Sequence, residues 1–180
     1  TWMHVGFVNI NDEKMSKSLD NFFTIRGVLE SYDGETLRYF MMSSHYRSPL
    51  NFSDDNLNLA KSSLTRLYTA IRGLTASKAA SDEVSMRFDY EIRFSDALDD
   101  DFNTPIALSI LFELAKAVNS ERDKDLDQAN ALAQLLKKLG GYIGILQMDA
   151  DDFLKQGVAL SDTEIDAKLT ARDQARANKD

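Results

Sequence analysis

Two lysines three residues apart, with hydroxyls beside them, stand at Lys14-Met15-Ser16-Lys17-Ser18. An ammonium on a flexible stem is a mobile point charge, and its charge-assisted bonds to phosphate oxygens are roughly twice as strong as neutral ones. A small polyanion such as a triphosphate suits this group. Lys17 would be the main contact, with Lys14 in support, the Ser16 and Ser18 hydroxyls as donors, and the loop backbone through Met15 offering amides. A solvated Lys/Ser loop is the plainer reading of the same five residues.

The flanks say how such a loop would be held. Phe7, Val8 and Ile10 are strand formers that lead into the polar turn Asn11-Asp12-Glu13. Beyond the lysines, Asn21 or Thr24 can start a helix whose apolar positions run through Val28, Leu29 and Tyr32, and Asp33-Gly34 ends it. A basic loop between a strand and a helix is therefore expected. A second helix is expected from Glu35 to about Ser43, with Leu37, Phe40 and Met41 inward and the Met41-Met42 pair as core filler. Pro49 biases Ser48 away from helix, so residues 45–52 read as an extended connector.

The wording of this region, KMSKSLDNFFTIRGVLESYDGETLRYFMMSSHYRSPLNFS, followed by Asp96-Ala97-Leu98-Asp99-Asp100-Asp101-Phe102-Asn103-Thr104-Pro105, resembles the class I cysteinyl-tRNA synthetases over nearly the whole chain. Asp20 stands where that family usually has glycine; aspartate tolerates the left-handed region better than most residues, so the turn can be kept. The resemblance implies that the lysine loop closes over ATP, used with Mg, during activation of cysteine for transfer to tRNA(Cys). It also implies four segments: the end of a nucleotide-binding fold with its KMSKS loop at 1–20, a stem-contact fold at 21–52, a DALR-type helical bundle at 53–150, and a short helix with the start of a C-terminal helix at 151–180. Because the chain opens inside a strand at Thr1, it reads as part of a longer protein whose HIGH-type motif lies upstream and whose anticodon-reading module lies mostly downstream. The family's zinc site uses cysteines; with none here, zinc is expected in the parent enzyme but not within this chain, and no metal ligands are assigned.

The fold class expected is mainly α: one strand and the KMSKS loop, a small helical stem-contact region, then an antiparallel four-helix bundle and a last partial helix. Ser53 caps the first long helix, Asp54 and Asp55 suit its positive end, and Leu57, Ala60, Leu64, Leu67, Tyr68, Ile71 and Leu74 form its stripe. A linker from Gly73 through Ser81 precedes a helix from near Arg87 to Asp99, with Tyr90, Phe94, Ala97 and Leu98 inward. Asp99, Asp100 and Asp101 are assigned to loop order and to capping the next helix, which starts at Thr104-Pro105. A turn at 119–125 leads to a fourth helix carrying Ala129 through Leu146, expected to continue across Gly140, Gly141 and Gly144 because the apolar phase does. A capping box at Ser161-Asp162-Thr163-Glu164 begins the last helix.

Three further cations are candidates for tRNA contact. Arg47, beside His45, lies on a connector that in the family sits at the active-site side; a structural histidine and a surface charge are the alternative. Lys61 and Arg72 are eleven residues apart, within roughly 20° on a helix, and so share a face that is either solvated or in contact with a tRNA backbone.

Composition narrows the classes. An apolar content of 43% suits an ordinary core, and no apolar run reaches the length of a membrane span, so the cytoplasm, a monomer and no membrane partner are expected. A net charge of -8 argues against broad nonspecific nucleic-acid affinity, and residues 61–95 are the only net-positive segment. Two functions remain: part of a ligase that uses ATP, cysteine and tRNA(Cys), or a free-standing helical module that binds RNA or protein without catalysis. They differ at Lys14 and Lys17, which only the first requires.

Overall fold

The computed structural model describes residues 2–16, 24–74, 84–156 and 162–177. A hairpin opens it: β1 (Val8–Ile10) turns at Asn11-Asp12 into β2 (Glu13–Lys14). Both turn residues are left-handed, with φ 49° and 68°, which is the two-residue type I′ turn that Asn and Asp tolerate best. The connector expected at 45–52 contains β3 (Leu50–Phe52), which pairs parallel with β1, so the single expected strand is one of three in the order β2-β1-β3. The parallel register is reached by a chain crossing of about forty residues, which short-range alternation cannot reveal. A Cβ on Gly6 would stand 2.1 Å from the Ser48 carbonyl oxygen, so only glycine lets the two segments approach.

The remaining elements are helices: α1 (Ile25–Val28), α2 (Gly34–Met42), α3 (Asp54–Ile71), α4 (Val84–Asp99), α5 (Thr104–Glu121), α6 (Leu126–Tyr142), α7 (Ala150–Lys155) and α8 (Asp162–Ala177). The chain is mainly helical, as expected. Helix α1 is a single turn capped by Thr24; the alternative start at Asn21 lies outside the described residues. In α2 the phase differs from expectation. Thr36, Tyr39 and Phe40 are buried, while Met41 is exposed and Met42 only partly covered. Asp33 caps the helix, its carboxylate accepting from the Thr36 N–H and hydroxyl.

Helices α3, α5 and α6 enclose a core of Leu57, Leu64, Leu67, Leu111, Leu114, Leu135, Leu136 and Leu139, each buried, which α4 joins through Phe94 and Ala97. Caps follow the side-chain chemistry: Ser53, Asn103 and Asp125 accept from backbone amides at the starts of α3, α5 and α6. The α5 cap is thus the Asn103 amide rather than a hydroxyl or the aspartates before it. Helix α5 also runs on to Glu121, into the stretch expected as turn.

The glycines end α6 rather than extend it. Gly140 and Gly141 are helical, and a Cβ on Gly140 would meet Leu146 Cδ1 at 3.0 Å, so close packing does occur there. Gly144 takes φ 73° and Leu146 φ 60°, which turns the chain back onto its own helix. That turn leaves amides to satisfy. Glu35 accepts from Leu146 N (3.0 Å) and Gln147 N (2.8 Å), and also from the Tyr68 hydroxyl (2.7 Å), which in turn accepts from Met148 N (3.0 Å). Burial first, and then the Glu35 bond, push the Tyr68 hydroxyl pKa well up, so it stays a donor. Its ring stacks on Phe153 of α7 at 4.0 Å between centroids.

Tyr68→Phe should lower stability by about 1 to 3 kcal/mol, since it orphans the Met148 amide and one Glu35 lone pair in a partly buried setting. The denaturation midpoint measures this; an unshifted midpoint would show the hydroxyl to be dispensable.

Candidate functional site

The hairpin carries the first half of the lysine loop. Met15 N donates to Val8 O at 3.3 Å, continuing the β1–β2 ladder past its last assigned pair. Lys14 is exposed at the end of β2, with its ammonium 4.6 Å from the centroid of the Phe7 ring. Ser16 and Met15 are half-buried; Lys17, Ser18 and Asp20 lie outside the described residues. The turn is held from β3 by Asn51, which accepts from Asp12 N (3.0 Å) and donates to Asp12 Oδ1 (2.8 Å). Lys14, Met15 and Ser16 are therefore presented together on a short hairpin, in the place where a mobile basic loop would need a fixed base.

The connector between α2 and β3 holds a second polar group. Arg47 donates through Nε to Asp101 Oδ2 (2.6 Å) and through Nη2 to Oδ1 (3.1 Å), a two-pronged pair, and the Tyr46 hydroxyl also donates to Oδ1. His45 fixes its own tautomer here. Its Nε2 lies 3.1 Å from the Asp101 carbonyl oxygen, which can only accept, and its Nδ1 accepts from Arg47 N at 3.3 Å. Asp101 and Phe102 are both left-handed, φ 55° and 54°, so the α4–α5 loop spends backbone strain to place this carboxylate. The aspartate triplet was expected to serve loop order and capping; Asp101 instead clamps the connector. No spacing rule links residues 54 apart.

Arg72 is the C-cap of α3: its φ of -58° is helical and its N–H still donates to Tyr68 O at 3.0 Å, so the eleven-residue spacing from Lys61 still applies to its side chain, while ψ 132° turns the chain away after it. Arg72 Nε donates to Asp151 Oδ1 at 2.6 Å, tying α3 to α7. Lys61 is half-buried and makes no ion pair among the described residues. Sequence spacing missed a groove of about 730 Å³ between α3 and α5, lined by Arg66, Thr69, Ser109, Phe112, Glu113 and Lys116. Arg66 lies over the Phe112 ring at 5.2 Å. Its two exposed cations come from different helices, and only their charge could have marked them. Among the described residues no His, Cys, Asp and Glu group is placed to hold a metal ion.

Residues 1–62 match the family model of the tRNA synthetases class I (C) catalytic domain, and residues 93–147 match that of the DALR domain. A cysteine–tRNA ligase of Vibrio atlanticus (strain LGP32) is 51% identical over 100% of this chain and 39% of its own length. One of Thioalkalivibrio sulfidiphilus (strain HL-EbGR7) is 51% identical over 99% of this chain and 38% of its own. The chain thus spans about two fifths of the length of these relatives. A crystal structure of the agnB2 LeuRS of Agrobacterium radiobacter K84, in a ternary complex with tRNA and LeuAMS, shares the fold with a TM-score of 0.55 over 81% of this chain and 23% of that one, at 18% identity.

The clamp has a pH signature. Arg47 first, and the Tyr46 hydroxyl second, draw the Asp101 carboxyl from 3.8 down to about 2. A lowered folded-state pKa means that the clamp's stabilisation is complete above about pH 4 and is lost as pH falls towards about 2. The carboxyl carbon shift of Asp101 should titrate near 2 and move back towards 3.8 in Arg47→Ala. A wild-type titration at the ordinary value would show that the clamp does not form in solution.

Proposed function

We propose that the chain belongs to the class I (C) tRNA synthetases and is the part of a cysteine–tRNA ligase that supplies the ATP-phosphate loop and the tRNA-facing helices. The observation that carries this is the hairpin: a strand, a type I′ turn fixed from β3, and a second strand ending in Lys14, from which the KMSKS residues continue. The complete enzyme would join cysteine to ATP as cysteinyl-adenylate and pass it to tRNA(Cys). The DALR match, and the tRNA in the solved neighbour's ternary complex, support a nucleic-acid partner. The free-standing binding module gives no reason for the lysine hairpin.

The division into 1–20, 21–52, 53–150 and 151–180 fits this reading. The first segment ends the nucleotide-binding fold, the second packs against it through β3, and the third is the helical bundle. Lys17 and Lys14 neutralise charge that develops on the phosphates as pyrophosphate leaves, Ser16 and Ser18 donate to the same oxygens, and Met15 contributes its backbone. Mg enters with ATP. The attacking cysteine carboxylate is already ionised, so adenylate formation needs no general base. Among the described residues no group of donors is placed to hold the zinc that the family uses.

For tRNA, Lys61 offers its ammonium directly. Arg47 and Arg72 would each share a guanidinium between a phosphate and the carboxylate that now holds it, Asp101 or Asp151. No described helix is long and apolar enough to cross a membrane. The proposed setting is a cytoplasmic monomer.

Two outcomes test the assignment in the complete enzyme. Lys17→Ala should lower cysteine-dependent ATP/pyrophosphate exchange by a factor corresponding to about 3 to 4 kcal/mol while cysteine binding changes little. Unchanged exchange would remove Lys17 from the reaction. Lys61→Ala should reduce the salt slope of tRNA binding by about one unit, and an identical slope would take Lys61 off the tRNA path.

A further inference from the structure

We propose that Asn51 is the positioning residue of the lysine loop: from β3 its side-chain amide clasps Asp12 and so sets where Lys14 and the residues after it approach the anionic substrate. The inference rests on the phosphate reading of that loop and names the residue that orients it.

Burial anchors β1 through Ile10 but does not orient β2. Strand β2 has two residues, both exposed, and pairs with β1 alone. Its direction is set by the turn, which holds two successive non-glycine residues at positive φ, a conformation that Asn and Asp tolerate best but that side-chain hydrogen bonds steady further. Asn51 supplies the support. It accepts the Asp12 N–H at 3.0 Å and donates to the Asp12 carboxylate at 2.8 Å. One amide orientation alone satisfies both, because an N–H can only donate and an ionised carboxylate can only accept.

The clasp is a useful reference point because Asn51 is itself tied to β1 and α3. Its backbone pairs with Asn9 in the parallel ladder, and its carbonyl accepts from Asn56 Nδ2 at 2.9 Å in the first turn of α3. Next to it, Phe52 meets Phe40 of α2 edge-on at 5.7 Å, and the Phe52 carbonyl accepts from Asn11 N at 3.2 Å. The helical part of the chain thus reaches the turn before Lys14 through the Asn51 side chain, in addition to the β1–β3 ladder and the Phe52 carbonyl. Displacing a charge by a fraction of an ångström to an ångström from its productive place is enough to slow a reaction on the order of 10- to 100-fold.

The polarity of the clasp gives a test that general destabilisation does not mimic. Asn51→Asp keeps an acceptor for the Asp12 N–H but sets a second carboxylate against Asp12. Adding Asp12→Asn restores one donor and one acceptor with the roles reversed. In the complete enzyme, Asn51→Asp should lower kcat for cysteine-dependent ATP/pyrophosphate exchange about tenfold or more with KM for cysteine within about twofold, and the double variant should return kcat to within about threefold of the parent. Amide exchange of residues 12–16 should quicken in the single variant and slow again in the double, with Leu111 and Leu136 unchanged in both. A single variant with full kcat, or a double variant that recovers neither rate nor protection, overturns the proposal. If the unmodified enzyme shows no cysteine-dependent exchange, the functional reading fails instead. The amide exchange of residues 12–16 then decides the positioning role alone, with unchanged protection in Asn51→Asp overturning it.

Discussion

Whatever the lysine hairpin does depends on the parallel pairing of β1 with β3. That pairing is the join between the first sixteen residues and the helices, and several groups hold it closed. Gly6 N donates to Tyr46 O at 2.8 Å and Leu50 N to Phe7 O at 2.9 Å, extending the ladder beyond the three assigned residue pairs. The approach exists because Gly6 has no side chain, and it has one outcome in sequence terms: any other residue there would displace the connector by ångströms. A short sheet of this kind is marginal alone, so its stability comes from what β3 packs against.

Two charged links tie α2 and the connector after it to the later helices, by different physics. Arg47 and Asp101 are about half exposed, so their pair contributes geometry more than free energy, and its two-pronged form sets the angle at which the connector leaves the α4–α5 loop. Glu35 is more covered and has no cationic partner in its group. It is stabilised by two backbone amides and a phenol, and it stitches α2 and α3 to the turn after α6. The carboxylate thereby answers the amides that the end of α6 leaves without helical partners. Removing either link would leave most of the leucine core in place while freeing the segment that carries the hairpin, which is how changes far from the lysines can reach them.

The helices were legible because their signals are local. Leu57, Leu64 and Leu67 share a face by period, Ser53 and Asp54 mark a start by chemistry, and both survive in the structure. What was not legible involves partners far apart in sequence or a change of backbone state. Strand β3 exists only because β1 lies beside it, and Arg47 meets Asp101 across two helices. Arg72 closes α3 as its C-cap, and its tie to Asp151 of α7 spans 79 residues, which no spacing rule covers. At Gly144 an unbroken apolar pattern hides the residue best able to turn left-handed, and Ile145 and Leu146 are apolar because they pack back onto the core rather than because the helix goes on. At the candidate site, Lys14 and its neighbours were found by residue type alone, whereas Asn51 gave no sign, since an asparagine in a connector has many ordinary uses.

The central claim is that this chain is part of a cysteine-activating ligase, and the most direct measurement is ATP/pyrophosphate exchange by the complete, unmodified protein with single amino acids supplied in turn. The account predicts exchange that depends on cysteine and falls to background with serine, which has the same shape but an oxygen in place of sulfur. Exchange that is absent with cysteine, or equally fast with no amino acid present, would contradict it.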